Sequence, residues 1–525
     1  MVFSSFYFLL YFLPLFFISY FLVENKHKNI VLFLYSIGFY AFGCFDNLYY
    51  VLILLLSLVL NYFITIGIEN HDTILNEDSI VKKSDIVTSD KAVGVDIVAA
   101  RSRSKASYDL RYNKIKNKNM RILLLVLALV LNFGNLFIFK YYNFFTDIVN
   151  LINNKVTLTK TNLILPIGIS FYTFQIVSYV IDVYFKKIKA ERSFIDFATY
   201  VIMFPQLIAG PIVRFIDVQK EIKSDRSIVW KNVYDGFSIF IIGLASKVLI
   251  ANQLSLVQVD ISDVGYERLC VLGAWAGAVS YSMQMYFDFF GYSLMAIGLG
   301  KMIGITITDN FKDPFLSTSV EEYWRRWHIT LSTWFRDYLM YPILLSRPIK
   351  KLRNAFNKIN KKFSSFITTF IAMFIVWFAT GLWHGASFNY IIWGLYFFVF
   401  MVLEQLILSK TILKVKVFAH IYLIIVIVMS FVIFSNENLN DMMLYFSKMF
   451  GSNTTFINET FKATILNNMR AFIIGILCVI KIPQLIYVHI KKKIVLHVIV
   501  MVILLGLSIF LIYLGYNDPF LYFRF

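Results

Sequence analysis

The chain has 525 residues, of which 58% are hydrophobic, and its mean hydropathy is +0.68. A soluble domain of this size needs far less apolar surface for its core, so the composition excludes a soluble enzyme and describes a polytopic membrane protein. A net charge of +18 would point to nucleic acid in a soluble chain, but here Lys and Arg fall in short loops between apolar runs, as the positive-inside rule requires, and no nucleic-acid partner is expected.

At roughly 20 residues per crossing, about twelve spans are expected, near residues 3–22, 30–44, 48–68, 121–145, 163–185, 235–256, 268–298, 363–383, 388–406, 417–434, 469–488 and 494–515. The first lacks a basic n-region and a small-residue cleavage site, so it reads as a retained span and not a signal peptide. Loops 23–29, 105–121, 186–192, 346–362, 409–416 and 491–493 are basic, whereas 44–47, 256–267, 435–460 and the tail after 515 are poor in positive charge. The two sets alternate, which places both termini outside the cytoplasm. The organisation expected is N-terminal spans in 1–68, a polar cytoplasmic insert in 69–120, a core in 121–410, and C-terminal spans with an outer tail in 411–525.

Two apolar stretches do not fit simple crossings. Thr199 to Phe215 contains Pro205, Gly210 and Pro211, which interrupt a helix, and Trp324 to Leu345 carries Arg325, Arg326, His328, Arg336 and Asp337. Broken or charged backbone at membrane depth is tolerated where protein or a water-filled cavity surrounds it, so both read as re-entrant or interfacial elements lining a central chamber. Cys44, Cys270 and Cys478 are far apart and share no metal-ligand spacing, and no metal is expected.

The chemistry concentrates on two of the seven histidines. His384 lies in Phe378-Ala-Thr-Gly-Leu-Trp-His-Gly-Ala386, between a segment that crosses and one that returns. An ionisable group at that depth is a functional-site hypothesis by default, and imidazole is the side chain best matched to moving a proton near neutral pH. His328 lies among tryptophans and arginines. On a helix Arg325, His328 and Ser332 fall on neighbouring positions of one face, a strip suited to an anionic, partly apolar ligand such as a phosphate-bearing thioester. The same residues also suit an interfacial helix anchored by Trp and Arg at headgroup level. Asp288 and Arg214 stand in apolar runs where an unpaired charge is expensive. The remaining histidines have ordinary settings, His497 among them, in an apolar span without polar neighbours in the sequence.

Seven runs, LPIGISFYTFQ, IDVYF, FPQLIAGPIVRF, YFDFFGYS, AIGLG, WRRWHITLSTWFRDYL and GLWHGA, occur in this order across most of residues 120–410. Together they resemble the membrane-bound O-acyltransferase (MBOAT) family, in its bacterial branch typified by the alginate O-acetyltransferase membrane subunit. The resemblance implies an all-α membrane protein of about 11–12 transmembrane helices, each of roughly 20 residues, with re-entrant helices around a central tunnel. It implies His384 and His328 as the catalytic pair, and Arg325, Ser332, Arg336, Asp337, Asp288, Arg214, Gln175 and Trp383 as candidates for lining the tunnel or binding the donor. The donor implied is a cytosolic thioester, acetyl-CoA or an acyl-carrier thioester, with no resident cofactor. The C-terminal Asn517-Asp-Pro-Phe-Leu-Tyr-Phe-Arg-Phe525 is similar to a terminal motif of this branch whose tyrosine can receive the acyl group, which makes Tyr522 a candidate relay; an interfacial aromatic anchor is the alternative. Leu395 stands where members of the branch commonly carry a further histidine after Trp-Gly.

The expected function is therefore acetyl transfer across a bacterial cytoplasmic membrane for O-acetylation of an extracytoplasmic polysaccharide, with membrane lipid around the chain and an esterase-like protein outside the membrane as partner. D-alanyl or other acyl transfer from a carrier protein to teichoic-acid-like polymers is the alternative within the family. A polysaccharide or small-molecule transporter is the alternative from a different class, though the sequence has no internal repeat to support it.

Overall fold

Long apolar runs leave the backbone few ways to satisfy its polar groups in lipid, and a helix, which bonds every interior N–H and C=O within one segment, is the simplest. The computed structural model describes residues 2–71, 118–152, 158–208, 210–408 and 411–515, and every regular element among them is helical. Eight helices among these residues are long and apolar enough to cross a bilayer: Tyr49–Asn70, Lys118–Ile152, Trp230–Val264, Lys361–His384, Phe388–Leu406, Lys416–Ser435, Glu459–Val479 and Ile494–Tyr513. The chain is an all-α, multi-pass membrane protein. Most of the expected insert, residues 72–117, and Tyr522 lie outside the described residues.

The other expected spans are also helical, but of a different kind. Phe8–Leu22, Lys28–Gly43 and Ile169–Tyr184 are shorter, and Val271–Ile303 is a 33-residue helix whose Ser280, Ser282, Gln284, Asp288 and Ser293 are all buried in the protein. The span expected at 469–488 is divided. Glu459–Val479 ends before Lys481, which takes a left-handed conformation (φ 69°) and pairs with Asp313 at 2.5 Å, and a separate helix, Ile482–Lys491, follows. His497 does have polar neighbours, brought from elsewhere in the chain: the Tyr234 hydroxyl at Nδ1 and the Tyr487 hydroxyl 3.0 Å from Nε2.

The most extensive helix contact among the described residues joins Trp230–Ala245 to Val271–Ile303. Without a hydrophobic drive between helices in lipid, close packing needs small residues at the contact. Gly236 and Gly243 supply them on one helix, Gly291 and Gly298 on the other. A Cβ at Gly236 would lie 2.6 Å from the Gly298 carbonyl oxygen, and one at Gly243 2.6 Å from that of Gly291. The pairing is antiparallel, and one turn further on in the same register Lys247 meets Asp288 at 2.7 Å, both side chains buried. Asp288 is thus committed to a cation that the sequence reading did not pair with it.

Breaking a buried ion pair from one side leaves an uncompensated charge, which costs about 3–5 kcal/mol, whereas an apolar pair of similar volume is often neutral. Lys247→Met and Asp288→Leu should each lower the melting temperature of the purified protein strongly, and the double substitution should restore most of the loss; equal losses that simply add would contradict this account.

Candidate active site

His384 is the last residue of the Lys361–His384 helix. A helix end leaves its final carbonyls without intrahelical partners, and in apolar surroundings each bare carbonyl is costly. Side chains of the Lys118–Ile152 helix supply the missing donors. The Tyr141 hydroxyl donates to the Leu382 carbonyl at 2.9 Å, and Lys140 Nζ donates to the carbonyls of Trp383 at 2.6 Å and His384 at 3.2 Å, and to Ser170 Oγ at 3.4 Å. The ammonium also stands 5.8 Å from the centre of the Trp383 ring and faces the negative end of the helix dipole. Both donors come from a π-helical turn, Phe137–Tyr141, a feature that recurs at functional sites.

The chain then returns through Phe388–Leu406, packed tightly on the helix it has just left. A Cβ at Gly381 would lie 2.3 Å from the Tyr390 carbonyl oxygen, one at Gly394 2.3 Å from that of Trp377, and one at Gly385 2.1 Å from the Tyr390 ring. That last contact is the physical reason a glycine follows His384.

His328 is positioned by a broken helix. Val320–Arg326 begins at Ser319, whose Oγ accepts from the Glu322 N–H at 3.1 Å, while the Glu322 carboxylate reaches back to the Thr318 N–H at 2.8 Å and its hydroxyl at 2.9 Å, a variant of the capping box. Burial disfavours charge on Glu322, but these bonds and Arg326 outweigh it and hold the carboxyl below its ordinary range. The Glu404 carboxylate accepts from the N–H groups of Val320 at 2.6 Å and Glu321 at 3.3 Å. The helix stops at Arg326; His328 adopts φ 44°, ψ 52°, and a new helix, Ile329–Phe335, starts behind it. Residues 310–312 bridge the break: the Lys312 N–H donates to the Arg326 carbonyl at 2.9 Å and the Ile329 N–H to the Asn310 carbonyl at 3.0 Å. The Asn310 side-chain oxygen accepts from the Thr330 N–H at 3.1 Å and hydroxyl at 2.8 Å and lies 3.2 Å from His328 Nδ1. A left-handed conformation at a residue other than glycine costs about 1–2 kcal/mol and persists where its surroundings over-determine it, commonly at functional sites.

The two imidazoles meet at one indole. The Trp383 ring centre is 6.0 Å from that of His328 and 5.0 Å from that of His384. Phe289 stands edge-on to His328 at 4.7 Å, and Trp393 and Phe434 flank His384 at 4.7 and 5.4 Å. Phe171 and Phe174 close on Trp383 at 5.5 and 5.6 Å, and Gln175, next on that face of Ile169–Tyr184, is fully buried. His328 is 0% and His384 4% exposed, so a ligand reaches either ring only when these aromatic side chains part.

Arg214, Arg336 and Asp337 form a second group. Arg214 holds Asp217 through two bonds, at 2.8 and 3.0 Å, and Asp337 at 2.9 Å, while Arg336 Nε donates to Asp337 at 2.8 Å. Asp182 joins alongside, accepting from the Tyr338 hydroxyl at 2.7 Å and pairing with Lys187 at 2.8 Å. At 1.5 Å per residue, Asp337 lies about 13 Å along the helical path from His328. Ser332 stays one turn from His328, its N–H donating to the His328 carbonyl at 3.1 Å. The strip expected for Arg325, His328 and Ser332 does not form: the break at His328 turns Arg325 outward, where it pairs with Glu321 at 3.1 Å with its side chain 67% exposed. Lys140, Tyr141 and Asn310 escaped the sequence reading. Lys140 carried a usable signal, an ammonium inside Phe137-Ile-Phe-Lys-Tyr141; a loop asparagine carries none.

A model of the membrane-bound O-acyltransferase family matches residues 186–447. The chain is 34% identical over 471 residues to a Pseudomonas aeruginosa protein named "Probable alginate O-acetylase AlgI", covering 89% of this chain and 78% of that protein. It is 32% identical over 422 residues to the peptidoglycan O-acetyltransferase of Helicobacter pylori, covering 74% of this chain and 67% of the other. The teichoic acid D-alanyltransferase of Bacillus subtilis is 29% identical over 248 residues, 46% of this chain and 59% of the relative.

Lys140→Met should leave the Trp383 and His384 carbonyls bare, at about 1–3 kcal/mol for each buried group. Thermal melting in detergent should show that loss, and Lys140→Gln, which keeps a donor, should recover part of it. A Lys140→Met protein as stable as the parent would show that the carbonyls have other donors.

Proposed function

Since the chain belongs to the membrane-bound O-acyltransferase family and is an acyltransferase, we propose that it takes an acetyl group from a cytosolic thioester, acetyl-CoA, and delivers it across a bacterial cytoplasmic membrane for O-acetylation of an extracytoplasmic polysaccharide. The observation that carries this reading is the convergence of His384 and His328 on Trp383, inside an enclosure of aromatic rings. An alcohol or phenol must lose its proton as its oxygen attacks the thioester carbonyl. In this reading the His384 imidazole takes that proton, the new C–O bond forms, the C–S bond breaks, and the departing thiolate is protonated in turn. His328 orients or shares the proton. General-base help of this kind is worth on the order of 10² to 10⁴ in rate. Enclosure by aromatic rings supports the same reading, since water admitted to the site would hydrolyse the thioester.

The charged group of Arg214, Arg336, Asp337 and Lys187 borders the basic loop 186–192, the side that positive charge assigns to the cytoplasm. Arginine forks suit the phosphates of a CoA or phosphopantetheine donor, so the donor enters there. Both termini then lie outside, where Tyr522 would accept the acyl group and pass it to an esterase-like partner protein. Acetyl is favoured over D-alanyl because the relatives named as O-acetylase and O-acetyltransferase match 89% and 74% of the chain, against 46% for the D-alanyltransferase.

Purified protein should consume acetyl-CoA, and His384→Ala should lower that rate on the order of 10² to 10⁴-fold while the melting temperature holds. An unchanged rate would remove His384 as base. Tyr522→Phe should leave assembly intact and end acylation of the polymer in cells; unchanged acylation would discard the relay.

A further inference from the structure

We propose that Asn310 is a positioning residue that locks His328 in one tautomer, with the proton on Nδ1 and the lone pair on Nε2. The proposal rests on the reading of His328 as part of the transfer site, and its argument uses donor and acceptor chemistry alone. A backbone N–H can only donate. The atom of the Asn310 amide that faces the Thr330 nitrogen at 3.1 Å must therefore be the oxygen and not the NH2 group. The Thr330 hydroxyl agrees. Its oxygen accepts from the Ile212 N–H at 3.0 Å, and its own proton goes to the same Asn310 oxygen at 2.8 Å. An amide oxygen cannot donate, so the imidazole nitrogen 3.2 Å from it, His328 Nδ1, is the one that carries hydrogen. Neutral imidazole has a single N–H, and Nε2, across the ring from Asn310, is then an acceptor.

Two features make this more than a passing contact. The Ile329 N–H is bonded to the Asn310 backbone carbonyl at 3.0 Å, so main chain and side chain of one residue hold the two backbone N–H groups that follow His328 as well as its ring. The His328 backbone is itself held left-handed at φ 44°, which sets the direction of the ring. A neutral amide also fixes the tautomer without adding a carboxylate charge to an apolar enclosure, where charge is expensive. The consequence for the reaction is direct. His328 presents a proton acceptor to the N–H or O–H of its neighbour in the site, an imidazole or an acceptor hydroxyl, and the opposite tautomer would present a second donor there.

The test uses the full chain in lipid nanodiscs labelled with 13C,15N-histidine, with His328→Gln identifying which signal among the seven histidines belongs to His328. The wild-type ring should show protonated Nδ1 and unprotonated Nε2. Asn310→Asp, which keeps the oxygen, and Thr330→Val, which removes the hydroxyl's bonds to Asn310 and Ile212 but leaves the Thr330 N–H on the Asn310 oxygen, should preserve that pattern. Asn310→Leu should lose it and slow acyl transfer on the order of 10²-fold, and Asn310→Asp should recover most of that loss. A wild-type His328 protonated at Nε2, or an Asn310→Leu ring with the wild-type pattern, overturns the proposal. Should Asn310→Leu fail to fold, the wild-type and Asn310→Asp spectra decide the question by themselves. Full transfer by His328→Gln overturns the reading beneath the proposal, and with it any part for Asn310 in the reaction, whichever tautomer is seen.

Discussion

The contact between Lys140 and the end of the Lys361–His384 helix is the constraint on which the site depends. A helix that stops inside an apolar region exposes carbonyls that lipid cannot satisfy. Lys140 and Tyr141, reaching from a separate helix, donate to the carbonyls of Leu382, Trp383 and His384. Because of that, the chain can end a helix at His384, turn through Gly385 and return, all without leaving the protein. The imidazole is thereby placed at a fixed backbone position at the end of a helix, which is what the base proposed for it would need, since small misplacements cost large factors in rate.

The same economy governs His328. Its helix is interrupted, and polar backbone groups at both ends of the short helix before it find partners: Glu404 and Ser319 at the start, Lys312 and Asn310 at the break. Both histidines thus stand at helix ends whose polar backbone is satisfied by distant residues, and both abut Trp383. The arrangement separates two tasks. An aromatic enclosure holds the imidazoles away from water, and a partly exposed network of arginines, lysine and aspartates lies further along the same helical path.

How much of this was legible in the sequence follows from the range of the interactions. The helices were readable because hydropathy is a property of each run by itself. His384 stands out in the sequence because an imidazole in an apolar stretch is expensive, and the structure buries it. The interruptions at Thr199–Phe215 and Trp324–Leu345 were readable from prolines, glycines and charges. The strip of Arg325, His328 and Ser332 was misread because helical spacing was carried across residues 327–328, and the segment that enforces the break lies at 310–312. His497 was misjudged for a similar reason, since Tyr234 and Tyr487 approach it only in the folded chain. Lys140 was legible in principle, but it was counted as the interior of a span.

The proposed delivery of an acyl group across the membrane requires His384 to lie on a route that can be reached from both faces, although the structure closes aromatic rings around it. The direct measurement places a cysteine there: His384→Cys in a chain whose Cys44, Cys270 and Cys478 are replaced by alanine, exposed to a small membrane-impermeant thiol reagent from either side of sealed vesicles. Modification from each face in turn is the expected result. Modification only after unfolding, from neither face of the intact protein, would contradict it.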